Sequence, residues 1–92
     1  MNSQNTQIQN RIGLIAGSGE IPVYFARQAA EKGISIVAIA FSEAIGKALC
    51  PYVEKIHSIG IWKSETILKT LKRENVANLL MLGKVDKKIV FN

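Results

Sequence analysis

Residues 13–22 read Gly-Leu-Ile-Ala-Gly-Ser-Gly-Glu-Ile-Pro, and Gly17-Ser18-Gly19 within them is the first place where chemistry could reside. Glycines between an apolar run and a helix can form a turn whose backbone amides hold a phosphate against the positive end of the helix dipole. The dinucleotide fingerprint G-x-G-x-x-G is incomplete, because Pro22 stands where its third glycine belongs. The second apolar run offers only Glu43 as an approximate ribose-binding acid. A Walker loop fits neither Gly13 onward nor Gly46-Lys47, and a nucleophile elbow fails because Gly17 touches Ser18 directly. Two readings stand. Pro22 pushes Ile21 toward extended geometry, so Ile21 becomes a helix N-cap without a side-chain acceptor and leaves first-turn amides for an anion. Alternatively the segment is a tight turn whose helix is capped by Glu20.

Gly83-Lys84 is the second candidate. A lysine at the carboxyl end of a strand can act as a point charge toward phosphate, or it can simply be solvated. His57 reads as a structural histidine rather than a partner for Cys50, and Trp62 as packing surface or a ligand-stacking ring. The His, Cys, Asp and Glu residues show no metal-ligand spacing, so neither a metal site nor a catalytic residue is assigned.

The elements that must position these residues are set by four short apolar runs, Ile12–Ala16, Ile34–Ala40, Lys55–Ile59 and Ala77–Leu82. The second and fourth are nearly continuous in apolar character, as in parallel strands buried on both faces. A helix is predicted from Pro22 to Lys32, with Phe25, Ala26, Ala29 and Ala30 on one face and Gly33 as its stop. A shorter helix runs from Ser42 to before Pro51. A third begins at an N-cap Ser64, buries Ile67, Leu68 and Leu71, and ends in Lys69, Lys72 and Arg73. The order β-α-β-α-β-α-β is half of a doubly wound α/β fold. Right-handed crossovers then give a parallel sheet of about four strands in order 3-2-1-4, with helices on both faces. Ligands bind such sheets at the carboxyl ends of the strands, where Gly17-Ser18-Gly19 and Gly83-Lys84 would face each other.

Ninety-two residues, 48% of them apolar, suit one small domain with a modest core. A single cysteine excludes an internal disulfide and suits a reducing cytoplasm. No apolar run approaches the ~18 residues of a membrane span. Residues 1–10, polar and uncharged, read as a disordered leader ahead of a domain at 11–92. The net charge of +5 is concentrated late, with seven Lys/Arg against three acids after Trp62. That half could be a solvated face, or could meet an anionic membrane or a phosphorylated ligand. Aromatics do not interleave with the basic residues, so nucleic acid is not a predicted partner. The run after Lys84, ending Ile89-Val90-Phe91-Asn92, lacks a covering helix. It predicts a natural chain that continues, and self-association through the stub or a sheet edge.

"IGLIAGSGEIPVYFARQAAEKGISIVAIAF" and "IHSIGIWKSETILKTLKRENVANLLMLGKV" together resemble the N-terminal domain of the LpxI-type UDP-2,3-diacylglucosamine pyrophosphatases, over residues 11–86. The resemblance implies a Rossmann-like N-terminal domain of a longer two-domain enzyme of lipid A biosynthesis. Such an enzyme hydrolyses UDP-2,3-diacylglucosamine to UMP and a diacylated glucosamine phosphate, with Mg2+ or a similar divalent metal. It would be cytoplasmic, at or near the inner membrane surface. In that family the acidic residues supporting hydrolysis lie in a C-terminal half not represented here. The resemblance therefore carries over no catalytic or metal ligand, and the fragment alone is expected to bind no metal and to be inactive. It does carry over Gly17, Ser18, Gly19, Glu20, Gly83 and Lys84 as residues facing the substrate cleft. A stand-alone nucleotide-binding module and an interaction domain remain the alternatives.

Overall fold

The computed structural model describes residues 11–76 and 78–85. The expected leader and the Ile89-Val90-Phe91 stub lie outside the described residues. The elements run β1 (Arg11–Ala16), α1 (Ile21–Glu31), β2 (Ser35–Ala40), α2 (Glu43–Leu49), a 3-10 turn (Cys50–Tyr52), β3 (Lys55–Ser58), α3 (Ser64–Arg73) and β4 (Asn78–Leu82). All strand pairings are parallel and the sheet order is β3-β2-β1-β4, the arrangement expected from the sequence.

The continuous apolar strands bury two different cores. Leu14, Ala16, Ile36 and Ala38 pack with Ala26 and Ala29 of α1 and Leu49 of α2. Their neighbours Ile15 and Ile39 point the other way, against Ile67 and Leu71 of α3. Alternation along each strand thus feeds both faces, which is why no polar residue interrupts β2 after Ser35. Each fully buried Leu or Ile contributes on the order of 1.5–3 kcal/mol.

Several local expectations need correction. β4 is half-exposed rather than buried on both faces, with Leu79 52% and Met81 63% exposed. Among the described residues it is an edge strand, and α3 covers Ile15 and Ile39 in the sheet centre rather than β4. Leu68 is likewise exposed, and Thr70 completes the buried side of α3. Lys63, not Ser64, caps α3, and it does so without a side-chain bond. In α1, Pro22, Ala26 and Ala29 form the buried face, while Ala30 is exposed. Gly33 ends α1 as expected. At φ +77° it donates to Ala30 O at 3.1 Å while Ile34 N donates to Ala29 O at 3.0 Å, a paired closure of the last turn.

A charge cluster sits at the opposite end of the sheet from the glycine turn. Arg11 begins β1, Lys55 and His57 share a face of β3, and all three converge on Glu74, just beyond α3. Glu74 Oε1 accepts from Lys55 Nζ at 3.1 Å and from Arg11 Nη2 at 3.4 Å. His57 Nε2 lies 2.8 Å from Glu74 Oε2, a hydrogen bond that requires the proton on Nε2. His57 is therefore a satisfied structural residue, and Cys50 is exposed in its turn. The Lys55 hydrogen bond, then that of His57, holds the Glu74 carboxyl below its ordinary value of 4.5 against the opposing effect of burial. A carboxyl so depressed stabilises the fold fully above its unfolded pKa, and that contribution disappears as pH falls through the lowered folded value. Glu74→Gln is accordingly expected to lower the melting temperature at pH 7 and to flatten its fall below about pH 4.5. Melting curves against pH check this. Superimposed curves for the two proteins would show that the cluster contributes nothing.

Candidate functional site at the strand carboxyl ends

β1 runs directly into Gly17, where the chain enters a backbone clasp with the segment after β4. Gly17 N donates to Leu82 O at 2.8 Å, Ser18 N to Lys84 O at 2.9 Å, and Lys84 N to Ser18 O at 2.9 Å. Ser18 and Lys84 thereby form an antiparallel bridge beyond the parallel sheet. Ser18 Oγ adds a longer bond to Lys84 O at 3.4 Å. The two segments expected to face each other are in fact joined. Only glycine permits this at position 17, where a Cβ would lie 2.3 Å from Lys84 O.

The clasp redistributes the amides. Those of Gly17 and Ser18 are spent on β4 and its extension, and cannot serve a ligand as well. Those beyond, from Gly19 into the first turn of α1, lie ahead of Tyr24 N, which donates to Glu20 O at 2.9 Å. Glu20 rather than Ile21 is the N-cap, at φ −86° and ψ −21°, and its carboxylate makes no cap hydrogen bond. Pro22 sits one residue inside the helix, so Ile21, expected to be extended, instead lies within the first turn. The Glu-capped turn that the sequence left open is thus not formed, and the positive end of α1 has no side-chain acceptor of its own.

Two hollows flank Ser18. One of about 240 Å3 is lined by Gly17, Ser18, Gly19 and Pro22 on one side and by Ala44, Ile45 and Ala48 of α2 on the other. The second, about 300 Å3, is bounded by Ser18, Phe41, Ser42, Ile61, Trp62 and Lys84. Together they form a groove over the carboxyl ends of the strands, where open α/β sheets bind ligands. Its walls are mainly apolar, with Lys84 as its cation and Ser18 and Ser42 as hydroxyls. Ser42 is partly committed, since its Oγ accepts from Ile45 N at 3.3 Å and caps α2. A larger hollow of about 440 Å3 lies between α3 and β4. It is a stretch of sheet edge among the described residues, away from the carboxyl ends of the strands, with Leu68, Leu79 and other apolar residues lining it.

The model of the LpxI N-terminal domain family matches residues 11–92, nearly the whole chain. The chain belongs to that family. LpxI is an enzyme family of lipid A biosynthesis. Comparison with curated proteins and with solved structures gave no match.

In this LpxI N-terminal domain, Gly17, Ser18 and Gly19 line one hollow, and Ser18 and Lys84 the other. Gly83 serves the clasp instead. At φ +101° it passes so close to Gly17 that a Cβ would meet that residue's backbone at 2.7 Å. Glu20 borders neither hollow. Phe41 and Ile61 line the groove without having been singled out in the sequence. Phe41 is the first residue after β2 and Ile61 lies in the loop after β3, and position at a strand's carboxyl end was the available signal. Among the described residues no group of three or more His, Cys, Asp or Glu side chains could hold a metal ion.

Proposed function

We propose that this chain forms one wall of the substrate cleft of a UDP-2,3-diacylglucosamine pyrophosphatase. The Ser18–Lys84 bridge is the observation that carries the reading. It fixes the Lys84 backbone against Ser18, two residues before the N-cap of α1, a helix end without a side-chain cap bond, at the end of the sheet where this architecture takes ligands. Membership in a lipid A enzyme family supplies the substrate class.

In the reaction, water adds across the pyrophosphate, one P–O bond breaks, and UMP and 2,3-diacylglucosamine phosphate leave. A divalent metal such as Mg2+ would activate that water, but the described residues offer it no ligand set. The role derived for this chain is binding and orientation. Lys84 brings positive charge to the pyrophosphate, and the first turn of α1 adds amides and dipole. The acids that hold metal and water are proposed to come from a second domain in the parent protein, and the fragment alone to be inactive.

No helix among the described residues is long and apolar enough to cross a membrane. We place the enzyme in the cytoplasm, with its basic residues meeting the anionic membrane that holds the diacylated substrate. The exposed Leu79 and Met81 of the β4 edge support self-association. Incubating the purified parent protein with UDP-2,3-diacylglucosamine and Mg2+ tests the reading, with UMP release as the expected result. Intact substrate would overturn it, and UMP binding without turnover would favour a nucleotide-binding module.

A further inference from the structure

Trp62 is the one tryptophan in the sequence, and it is 64% exposed. It lies in the loop between β3 and α3, which Lys63 N closes by donating to Gly60 O at 3.0 Å. The indole rests on the backbone of that turn. A Cβ at Gly60 would come within 3.1–3.2 Å of its Cε2, Cζ2 and Nε1 atoms, so the glycine is what lets the ring lie there. The same residue lines the 300 Å3 hollow, with Phe41, Ile61 and Val85 as apolar companions and Ser18, Ser42 and Lys84 as its polar groups.

We propose that Trp62 is the stacking platform for the pyrimidine base of a uridine nucleotide, the phosphates of which extend toward Lys84. This assignment rests on the reading of the chain as part of an enzyme acting on a UDP-linked substrate. Three features favour a base over an acyl chain. A flat aromatic held against its own turn presents a preordered π-surface, which every base can use and which costs little entropy to engage. The volume is at the small end of ligand sites, suited to a nucleoside and too small for two acyl chains. The hollow also carries hydroxyls and an ammonium alongside its apolar walls, groups that can hydrogen-bond a polar ring and its phosphate and that an alkyl chain would leave unpaired.

Because Trp62 is the sole indole, its fluorescence reports on this hollow alone. The full chain titrated with uridine monophosphate is expected to show quenching, and calorimetry tracks the variants that lack the indole. Trp62→Phe should bind uridine monophosphate within about threefold of the wild type. Trp62→Ala should weaken it roughly 5- to 150-fold, the range for losing one base–aromatic stack. Ribose 5-phosphate, which has no base, should bind both variants as it binds the wild type. Equal weakening of both probes by Trp62→Ala would make the residue structural and overturn the assignment. So would quenching by dodecanoate but not by uridine monophosphate. Uridine monophosphate binding that ignores Trp62 would remove the stacking role alone. No binding to the wild type would remove both the role and the uridine reading of the cleft.

Discussion

Gly17→Ala is expected to cost this domain roughly 3 kcal/mol and to lower its melting temperature by on the order of 10–20 °C. The added methyl would lie 2.3 Å from Lys84 O, 2.9 Å from Lys84 C and 3.0 Å from Lys84 N. All three are backbone atoms, so no side-chain rotation relieves the clash. Either β1 and the segment after β4 separate, or the Ser18–Lys84 bridge is lost with its two hydrogen bonds, each worth about 1 kcal/mol. The sheet should survive, because Ile12–Ala16 remains paired with both neighbours. The damage should therefore be local as well as global. Exchange of the Ser18 and Lys84 amides should accelerate far more than that of Leu14 or Ile39. A melting temperature within about 2 °C of wild type would show that the clasp contributes little to stability.

Gly19→Val should separate folding from binding, with Gly33→Val as its matched control. Both glycines have positive φ, +105° and +77°, and a Cβ at either meets nothing within 4 Å. A branched residue forced into that conformation costs roughly 1–3 kcal/mol, so both variants should lose similar stability. Only Gly19 lines the groove, however. Gly33 closes the other end of α1. In the parent enzyme Gly19→Val places an isopropyl group where substrate would sit and should raise KM at least roughly tenfold, the effect of about 1.4 kcal/mol of lost binding. Gly33→Val should leave KM near wild type. Equal kinetics for the two would mean that the glycine turn only shapes the backbone.

The architecture was legible because it depends on pattern and on chain connectivity. Apolar runs such as Ile36–Ala40 must be covered on both sides, and handed crossovers leave few orders for four parallel strands. The meeting of Gly17-Ser18-Gly19 with Lys84 came from that topology. The clasp itself did not, since which amides pair depends on ångström-scale approach between segments 66 residues apart in sequence. The caps failed for a local reason. Ser64 and Ile21 lie one residue from the observed boundaries, and at Lys63 and Glu20 the helix begins without a side-chain bond that would mark its start. The exposure of β4 escaped because an edge strand and a central one can share the same apolar composition. Glu74 went unnoticed for the opposite reason. Nothing near it in sequence marks it, although Lys55 and His57 on one strand face and Arg11 at a strand start together favour an anion among them.

The kinetics of Lys84→Ala in the parent enzyme most directly test whether this groove holds the substrate pyrophosphate. The substitution removes an exposed ammonium while leaving the backbone bridge to Ser18 in place, so stability should hardly change. A charged hydrogen bond is worth about 1.5–3 kcal/mol, which corresponds to a rise in KM of roughly tenfold or more. That rise, with the melting temperature unchanged, is the result expected if Lys84 faces the pyrophosphate. A KM equal to that of the wild type would contradict it and leave Lys84 a solvated residue at the end of a strand.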